Sequence, residues 1–430
     1  MKIFPKIIKL WPAFFFLVLM GLQGCEDKCE SVYTYMTYEP VYMSFAELRS
    51  AITETTPQTI ETPGKIYLYD NYLLINEVNK GIHVIDNENP ASPQKLKFIE
   101  IPGNVDMAVK NGFLYADSYV DLVVLDISDI NSVKEVNRVE DVFPIHVNWE
   151  RHFTFDQSQG VVTDWIENEV TETRDCGSNQ VSVWREGVFF DLSNAQRGNS
   201  TNFTPPSSPT SIGGSMARFT VVDNYLYTVD ESSLNPFDIS SPSDPVKGDQ
   251  IWTGFGIETI FPYKDHLFLG GQTGMQIFSL KNAAAPEFVS NYAHINSCDP
   301  VVVNDDYAYV TLRSGNPCVE VVNQLDVLDI SEIENPKLLK SFSMQNPHGL
   351  GIDGNNLFIC EGEFGLKHFD AADPLKVGEN MISHFDDMHA FDVIPYDNRL
   401  MMIGNDGLYQ YDYSGNELKL LSTLTIVPKP

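Results

Sequence analysis

Short apolar runs of four to seven residues recur along this chain, separated by Asp, Asn, Gly and Pro. The clearest is a run that closes on Asp: GIHVID at Asp86, DLVVLD at Asp126, SLNPFD at Asp238, GMQIFS at Ser279 in place of Asp, QLDVLD at Asp329, GLKHFD at Asp370 and GLYQYD at Asp412. Successive landmarks lie 40, 112, 41, 50, 41 and 42 residues apart, so a unit of about 41 residues repeats seven times with one large insertion. Before each landmark lies another apolar run, opened by turn residues: DNYLLINE (70–77), NGFLYADS (111–118), DNYLYTVD (223–230), DHLFLGGQ (265–272), DDYAYVTL (305–312), NNLFICEG (355–362) and NRLMMIGN (398–405). These runs are too short for helices and rich in β-branched and aromatic residues, which predicts strands. The Asp/Asn/Gly openings supply the positive φ that a hairpin turn needs. A further strand precedes each turn (MAVK, FTVV, PVVV, LGID, DVIP), and a fourth follows a Pro-bearing loop (KLKFIEI, KLLKSFSM, LKLLSTLTI).

Four antiparallel strands per repeat is the size of a propeller blade. One such sheet has two apolar faces it cannot cover alone, whereas blades packed around an axis cover both and leave few edges. The expectation is an all-β protein, a seven-bladed β-propeller of four-stranded antiparallel blades over residues 60–428. The closing Asp, usually followed by Ile-Ser, is expected to bond the backbone of the next turn. The five Trp do not recur blade by blade, and no GH…WD signature is present. The VLDIS segments at 124–128 and 327–331 resemble the LVIVD-repeat family of bacterial β-propeller proteins, over residues 64 to about 426. FSLKN, FDAAD and YDYSG depart from that motif in the fourth, sixth and seventh units. Segments such as NPHGLGIDGNNLFICEG and SMARFTVVDNYLYTVD are similar to those of LVIVD-repeat lipoproteins. The resemblance implies a propeller on a membrane anchor and implies no reaction.

The start of the chain adds a location. Lys2, Lys6 and Lys9 precede an apolar stretch from Leu10 to Leu22, then Leu22-Gln23-Gly24-Cys25. Thirteen residues fall short of the about 20 that a spanning helix needs, so 1–24 is expected to be a signal peptide. The small residue before Cys resembles the bacterial lipoprotein cleavage box, which implies lipidation of Cys25. The expected location is the bacterial cell envelope, lipid-anchored at the outer membrane, with surface and periplasmic faces both open. Residues 25–59 are expected to form a tether with one added strand (32–38) and a short helix near 44–52. Residues 1–24 hold three of the 28 basic side chains and none of the 59 acidic ones, leaving 25 against 59, a formal charge of −34. That field opposes nucleic acid and anionic headgroups. The partners expected are therefore a membrane, through the lipid, and an envelope protein or extracellular glycan, with no nucleic acid.

An exported chain can form disulfides. Cys298 and Cys318 both fall on the same face of a propeller, which makes a bridge between them feasible, whereas Cys360 sits mid-strand as a buried thiol. Cys29 and Cys176 stay open as free or paired. The insertion, 145–213, lies between the second and third blades. Its first part alternates like a strand, and its second part (NAQRGNSTNFTPPSSPTSIGGS) reads as a flexible surface loop. The insertion serves either as a partner site or as an edge hairpin. Trp149, Trp165, Trp184 and Phe203 are its candidate aromatics, to stack on sugar rings or cover sheet edges.

Candidate chemistry is confined to the hub. No phosphate-cradling Gly loop, HExxH, GxSxG or EF-hand spacing occurs. Residues leading into the innermost strands converge at one mouth of a propeller's channel. Alignment on the second strands puts Lys65, Asp106, Arg218 and Asp392 at one level, Glu258, Asp299 and His348 one residue earlier, and His389 and His294 slightly upstream. Convergent polar groups in a concavity mark the default binding site. The competing readings are mutual charge pairing around a water-filled channel, or acid–base work on a saccharide by Asp299, His348, Asp392 and His389, as in a lyase or hydrolase. No cofactor or metal is assigned, with a channel-bound divalent cation left open. The function expected is a non-enzymatic binding or scaffolding propeller.

Overall fold

The computed structural model describes residues 30–144, 156–175, 211–294, 300–314, 322–415 and 417–427. The chain divides into two compact units, 1–41 with 162–196 and 42–161 with 197–430.

In the second unit, antiparallel sheets of consecutive strands form seven blades, at 63–100, 107–139, 219–252, 257–293, 301–343, 350–385 and 392–425. The innermost strands are Pro63–Tyr69, Met107–Lys110, Phe219–Val222, Ile257–Tyr263, Val301–Asn304, Leu350–Asp353 and Asp392–Tyr396. The turns after them are built as the sequence requires. Asp70, Asn111, Asp223, Asp305 and Asp397 adopt φ of 48–51°, Lys264 takes that position in the fourth blade, and Gly354 in the sixth. The closing residue of the third strand also acts as expected. The backbone N–H two residues on donates to Asp86, Asp126, Asp238, Asp329, Asp370 and Asp412 at 2.8–3.0 Å, and to the Ser279 hydroxyl at 3.3 Å. Every blade carries a one-residue register shift between its third strand and its fourth, in the third blade between the two pieces of the fourth strand, an irregularity that the periodicity does not reveal.

The core is a ring of apolar seams between neighbouring blades. Leu74, Ile82, Leu114 and Val124 belong to the first, Tyr227 and Leu267 to the next, and so on to Phe358 and Leu400. Ile66, Leu73, Ile394 and Met401 close the ring between the last blade and the first. Val427 N–H donates to the Ile60 carbonyl (3.0 Å), joining the two ends of the propeller.

The first blade is wider than the repeat predicts. Ser211–Gly213 pairs along its innermost strand and Thr53–Thr55 along its outermost, giving six strands. The helix expected near 44–52 is a single turn, Phe45–Leu48, with a Ser44–Glu47 capping box. It ends there because Arg49 turns to Asp121 of the second blade (3.0 Å), and the chain continues into the added outer strand. In the other unit, Glu30–Met43 pairs with Val161–Asp175 as a two-stranded ribbon. Thr34 meets Thr171 at 3.3 Å, and the Tyr35 hydroxyl donates to Glu172 at 2.8 Å. The predicted tether strand and the strand-like part of the insertion are thus partners of each other.

Candidate functional site

The site follows from register. Four residues before the end of each innermost strand stand Lys65, Asp106, Arg218, Thr259, Pro300, Gly349 and Asp392, in blade order. Lys65 of the first blade therefore lies between Asp106 of the second and Asp392 of the last, and Arg218 follows Asp106. Charge alternates around this part of the hub.

The chain between the insertion and the third blade crosses that ring as a strap. Gly213 pairs with Tyr67 of the first blade. The Ser215 hydroxyl donates to Asp392 Oδ1 of the seventh (3.3 Å) and accepts from Leu350 N–H of the sixth (2.8 Å). Met216 offers its carbonyl to Lys65 Nζ, Ala217 its carbonyl to Ile260 N–H of the fourth blade (2.9 Å), and Arg218 its N–H to Asp106 of the second. Residues 211–215 are thus not part of a flexible surface loop: Gly214 and Ser215 are buried, and a Cβ on Gly214 would overlap the Asp392 carboxylate. Their small size fits a close backbone approach, not mobility.

Beside the strap, with Met216 and Arg218 on its wall, lies a cavity of about 220 Å³. Its polar wall is Lys65, Arg218, Glu258, Thr259, Arg313 and His348, with Val105, Met216 and Pro300 between them. All come from one end of the blades: from the start of an innermost strand or the segment leading into it, or, for Arg313, from just past a second strand. Glu258 accepts from the Gln272 amide at 3.1 Å. Burial drives the Lys65 and Arg313 pKa values down, opposed by Asp106 and Asp392 for Lys65 and by Glu258 for Arg313. His348 is buried, and desolvation with the nearby Arg313 and His389 lowers its pKa to about 3. It is a neutral imidazole at pH 7, and its Nδ1 has no hydrogen-bond partner.

The sequence-predicted residues divide as follows. Lys65, Arg218, Glu258 and His348 line the cavity. Asp106 and Asp392 stand behind it, both 2% exposed. Burial raises both, Asp392 to about 6, against the pull of Lys65. His389 is off the cavity wall, its ring 5.8 Å from Phe391, which in turn lies 4.8 Å from His348. His294 follows the fourth blade, its ring 6.0 Å from Tyr292. Asp299, Cys25, Cys29, Cys176, Cys298, Cys318, Trp149, Trp184 and Phe203 lie outside the described residues. Trp165 belongs to the ribbon, and Cys360 is the buried thiol expected. Among the described residues no group of three His, Cys, Asp or Glu is placed to hold a metal ion.

Sequence reasoning missed Arg313, Thr259 and the strap. It also missed Trp252, which ends the third blade, and Phe255, which leads into the fourth; they are exposed by 55% and 73%, and their rings meet edge to face at 6.2 Å. Second strands end on the same face as lead-ins begin, and that rule would have found Arg313.

Blades, register and hub define a seven-bladed β-propeller with a polar axial site. LVIVD repeats occupy residues 64–99, 103–141 and 213–248, over the first three blades, and the seven-bladed fold is consistent with an LVIVD-repeat propeller. No curated protein matches it in sequence. Among solved structures it is similar to the computationally designed Ika8 protein, at 10% identity, with 86% of this chain and 92% of that one covered and a TM-score of 0.50. Saccharomyces cerevisiae Sqt1 is similar at 7% identity, covering 91% and 89%, with a TM-score of 0.50. Those likenesses are of fold.

Proposed function

We propose that this protein is a non-enzymatic binding or scaffolding propeller of the bacterial envelope, lipid-anchored through Cys25 at the outer membrane, whose partner is an envelope protein or an extracellular glycan. The observation that carries the reading is the hub cavity, whose wall offers hydrogen-bond donors and cations while both hub aspartates turn away from it. A wall of that kind recognises groups through its donors; the one carboxylate and the imidazole on it among the described residues, Glu258 and His348, are a carboxylate bonded to the Gln272 amide and a neutral ring. Acid–base work on a saccharide by Asp299, His348, Asp392 and His389 would need the four to converge; of the three that are described, His348 alone lines the cavity. The anchor rests on the Lys-rich start, the short apolar stretch and Leu-Gln-Gly-Cys25. The formal charge of the chain, −31, fits an exported protein that avoids nucleic acid.

The test is fractionation of the native organism's envelope followed by mild crosslinking and detergent extraction. Wild type should sediment with membranes and Cys25→Ser should not. A stoichiometric protein or saccharide should co-purify with wild type and be lost from Arg218→Ala. A soluble wild-type protein recovered alone would sink the reading.

A further inference from the structure

We infer that Trp252 and Phe255 form a sugar-stacking platform beside the hub cavity, for a pyranose ring whose axial C–H bonds make one face apolar. This rests on the binding role proposed above and takes the glycan of its two partner classes.

Tyr227, Phe237, Phe268 and Phe278, aromatic residues of the third and fourth blades, are at most 2% exposed. Trp252 and Phe255 stand mostly in solvent, although four hydrogen bonds hold the turn that carries them. Thr253 N–H donates to the Ser232 carbonyl (2.9 Å), Gly256 N–H to the Glu231 carbonyl (2.7 Å) and Gln272 N–H to the Gly256 carbonyl (2.8 Å). The Gln276 side-chain amide donates to the Thr253 carbonyl (2.7 Å). Gly254 and Gly256 take φ of 91° and 85°, a backbone that side chains disfavour, so the turn is shaped for this display. The two rings stand at 89° to each other and brace one another edge to face, which lowers the cost of ordering them on a ligand. Gln272, bonded to this turn through its backbone, also donates its side-chain amide to Glu258 on the cavity wall (3.1 Å), so platform and cavity share a support.

Area selects the occupant. With ~150–250 Å² to an aromatic side chain, the exposed parts of the two rings come to roughly 200–300 Å². A stable protein interface takes about 800 Å² from each partner. The flanks of the rings do not extend the apolar patch: Glu231, Asp249, Gln250 and Thr273 are exposed and polar. The Glu231 carbonyl accepts from both Gly256 and Ile257 N–H, which holds that residue against the turn. An apolar floor of this size with hydrogen-bonding groups at its rim suits a ring that is apolar on one face and hydroxylated at its edge. Nucleobases also stack on aromatic rings, but the formal charge of −31 opposes their phosphates.

The decisive experiment is titration of the full chain, followed by calorimetry and saturation-transfer NMR, with cellobiose, N,N′-diacetylchitobiose and lactose. D-sorbitol, an open-chain polyol without a ring face, is the control. At least one disaccharide should bind one to one, with saturation strongest at its axial C–H protons, and sorbitol should not bind. Trp252→Ala should weaken that binding roughly tenfold and Phe255→Ala severalfold, whereas Trp252→Phe, which keeps a ring, should lose less than Trp252→Ala. Both side chains are exposed, so thermal unfolding of each variant should match wild type, and either one suffices for the test. A folded protein that binds none of the three disaccharides overturns the inference, and so does binding untouched by Trp252→Ala and Phe255→Ala. If that untouched binding is lost from Arg218→Ala, the hub reading stands without the platform. Binding lost from Trp252→Ala and indifferent to Arg218→Ala keeps the platform and removes the hub from the reading above. A partner protein, with no saccharide, that is released by Trp252→Ala also overturns the inference and leaves the scaffold role standing.

Discussion

Asn87 and Gln410, 323 residues apart, exchange two hydrogen bonds across the seam between the first and last blades: Asn87 Nδ2 donates to Gln410 Oε1 at 2.9 Å, and Gln410 Nε2 to Asn87 Oδ1 at 2.7 Å. Both side chains are buried. Ser422 adds a third link, its hydroxyl donating to the Pro90 carbonyl at 2.6 Å. These side-chain bonds close the ring together with the backbone bond from Val427 to Ile60, since the four strands of each blade come from one repeat.

That pairing predicts the cost of opening the ring. Gln410→Leu leaves the Asn87 amide buried with neither partner, a loss of about 2–3 kcal/mol. Asn87→Leu should cost a similar amount. The double variant should lose less than the sum of the two, because no orphaned amide is left. Urea unfolding of the four proteins measures this cycle, and strict additivity would show that the two amides do not act as a pair.

Asp392 predicts an unusual pH response. Burial lifts its carboxyl from 3.8 to about 6 despite Lys65, so the folded protein binds a proton there more tightly than the unfolded chain does. Such a group contributes stability that is fully present below pH 3.8 and is lost as pH rises through about 6. Asp392→Asn cannot titrate and should gain on wild type by about 2–3 kcal/mol between pH 4 and pH 7. Unfolding free energies of both proteins across that interval check it. A difference independent of pH would mean that Asp392 is ionised throughout.

Glu77 should respond with the opposite sign. Burial alone would raise its pKa, but His83, Glu61 N–H (3.1 Å) and Thr62 N–H (2.7 Å) bond the carboxylate and hold it at about 2. This stability is present above pH 4.5 and is lost as pH falls toward 2. Glu77→Gln should therefore be less stable than wild type by up to about 3 kcal/mol at pH 7, with the deficit shrinking below pH 4.5. Acid unfolding followed by circular dichroism gives the comparison. A constant deficit would place the effect in packing.

The blades were legible because each repeat states the same information several times over. Turn residues at Asp70, Asn111, Asp223, Asp305 and Asp397 fixed where strands reverse, and register then placed Lys65, Arg218, Glu258 and His348 near one another. Register did not tell which way a side chain turns. Asp106 and Asp392 share the register of Lys65, yet each curls back to the N–H of the next residue, which a carboxylate can accept and a Lys or Arg cannot. The strap was illegible for another reason. Ser211-Ile212-Gly213-Gly214-Ser215 has the composition of a loop, and only the proximity of Asp392 and Leu350, more than 130 residues away in sequence, reveals that Gly214 and Ser215 are core. The ribbon of Glu30–Met43 with Val161–Asp175 likewise joins segments that no local pattern connects.

The strap makes the last prediction. Gly214 and Gly349 face the Asp392 carboxylate from the third-blade lead-in and the sixth blade, and a Cβ at either position would overlap it. Interiors packed to this density do not absorb an added carbon without a shift, at a cost of about 1–3 kcal/mol. Gly214→Ala should be destabilised by that amount, whereas Gly415→Ala, where a Cβ meets nothing within 4 Å, should be neutral. Shortening the opposing side chain restores room, so Gly214→Ala with Asp392→Ser should lose less than the two single changes combined. Thermal unfolding of wild type and of these variants reports the effect, and a Gly214→Ala protein as stable as wild type would show that the strap does not press on Asp392.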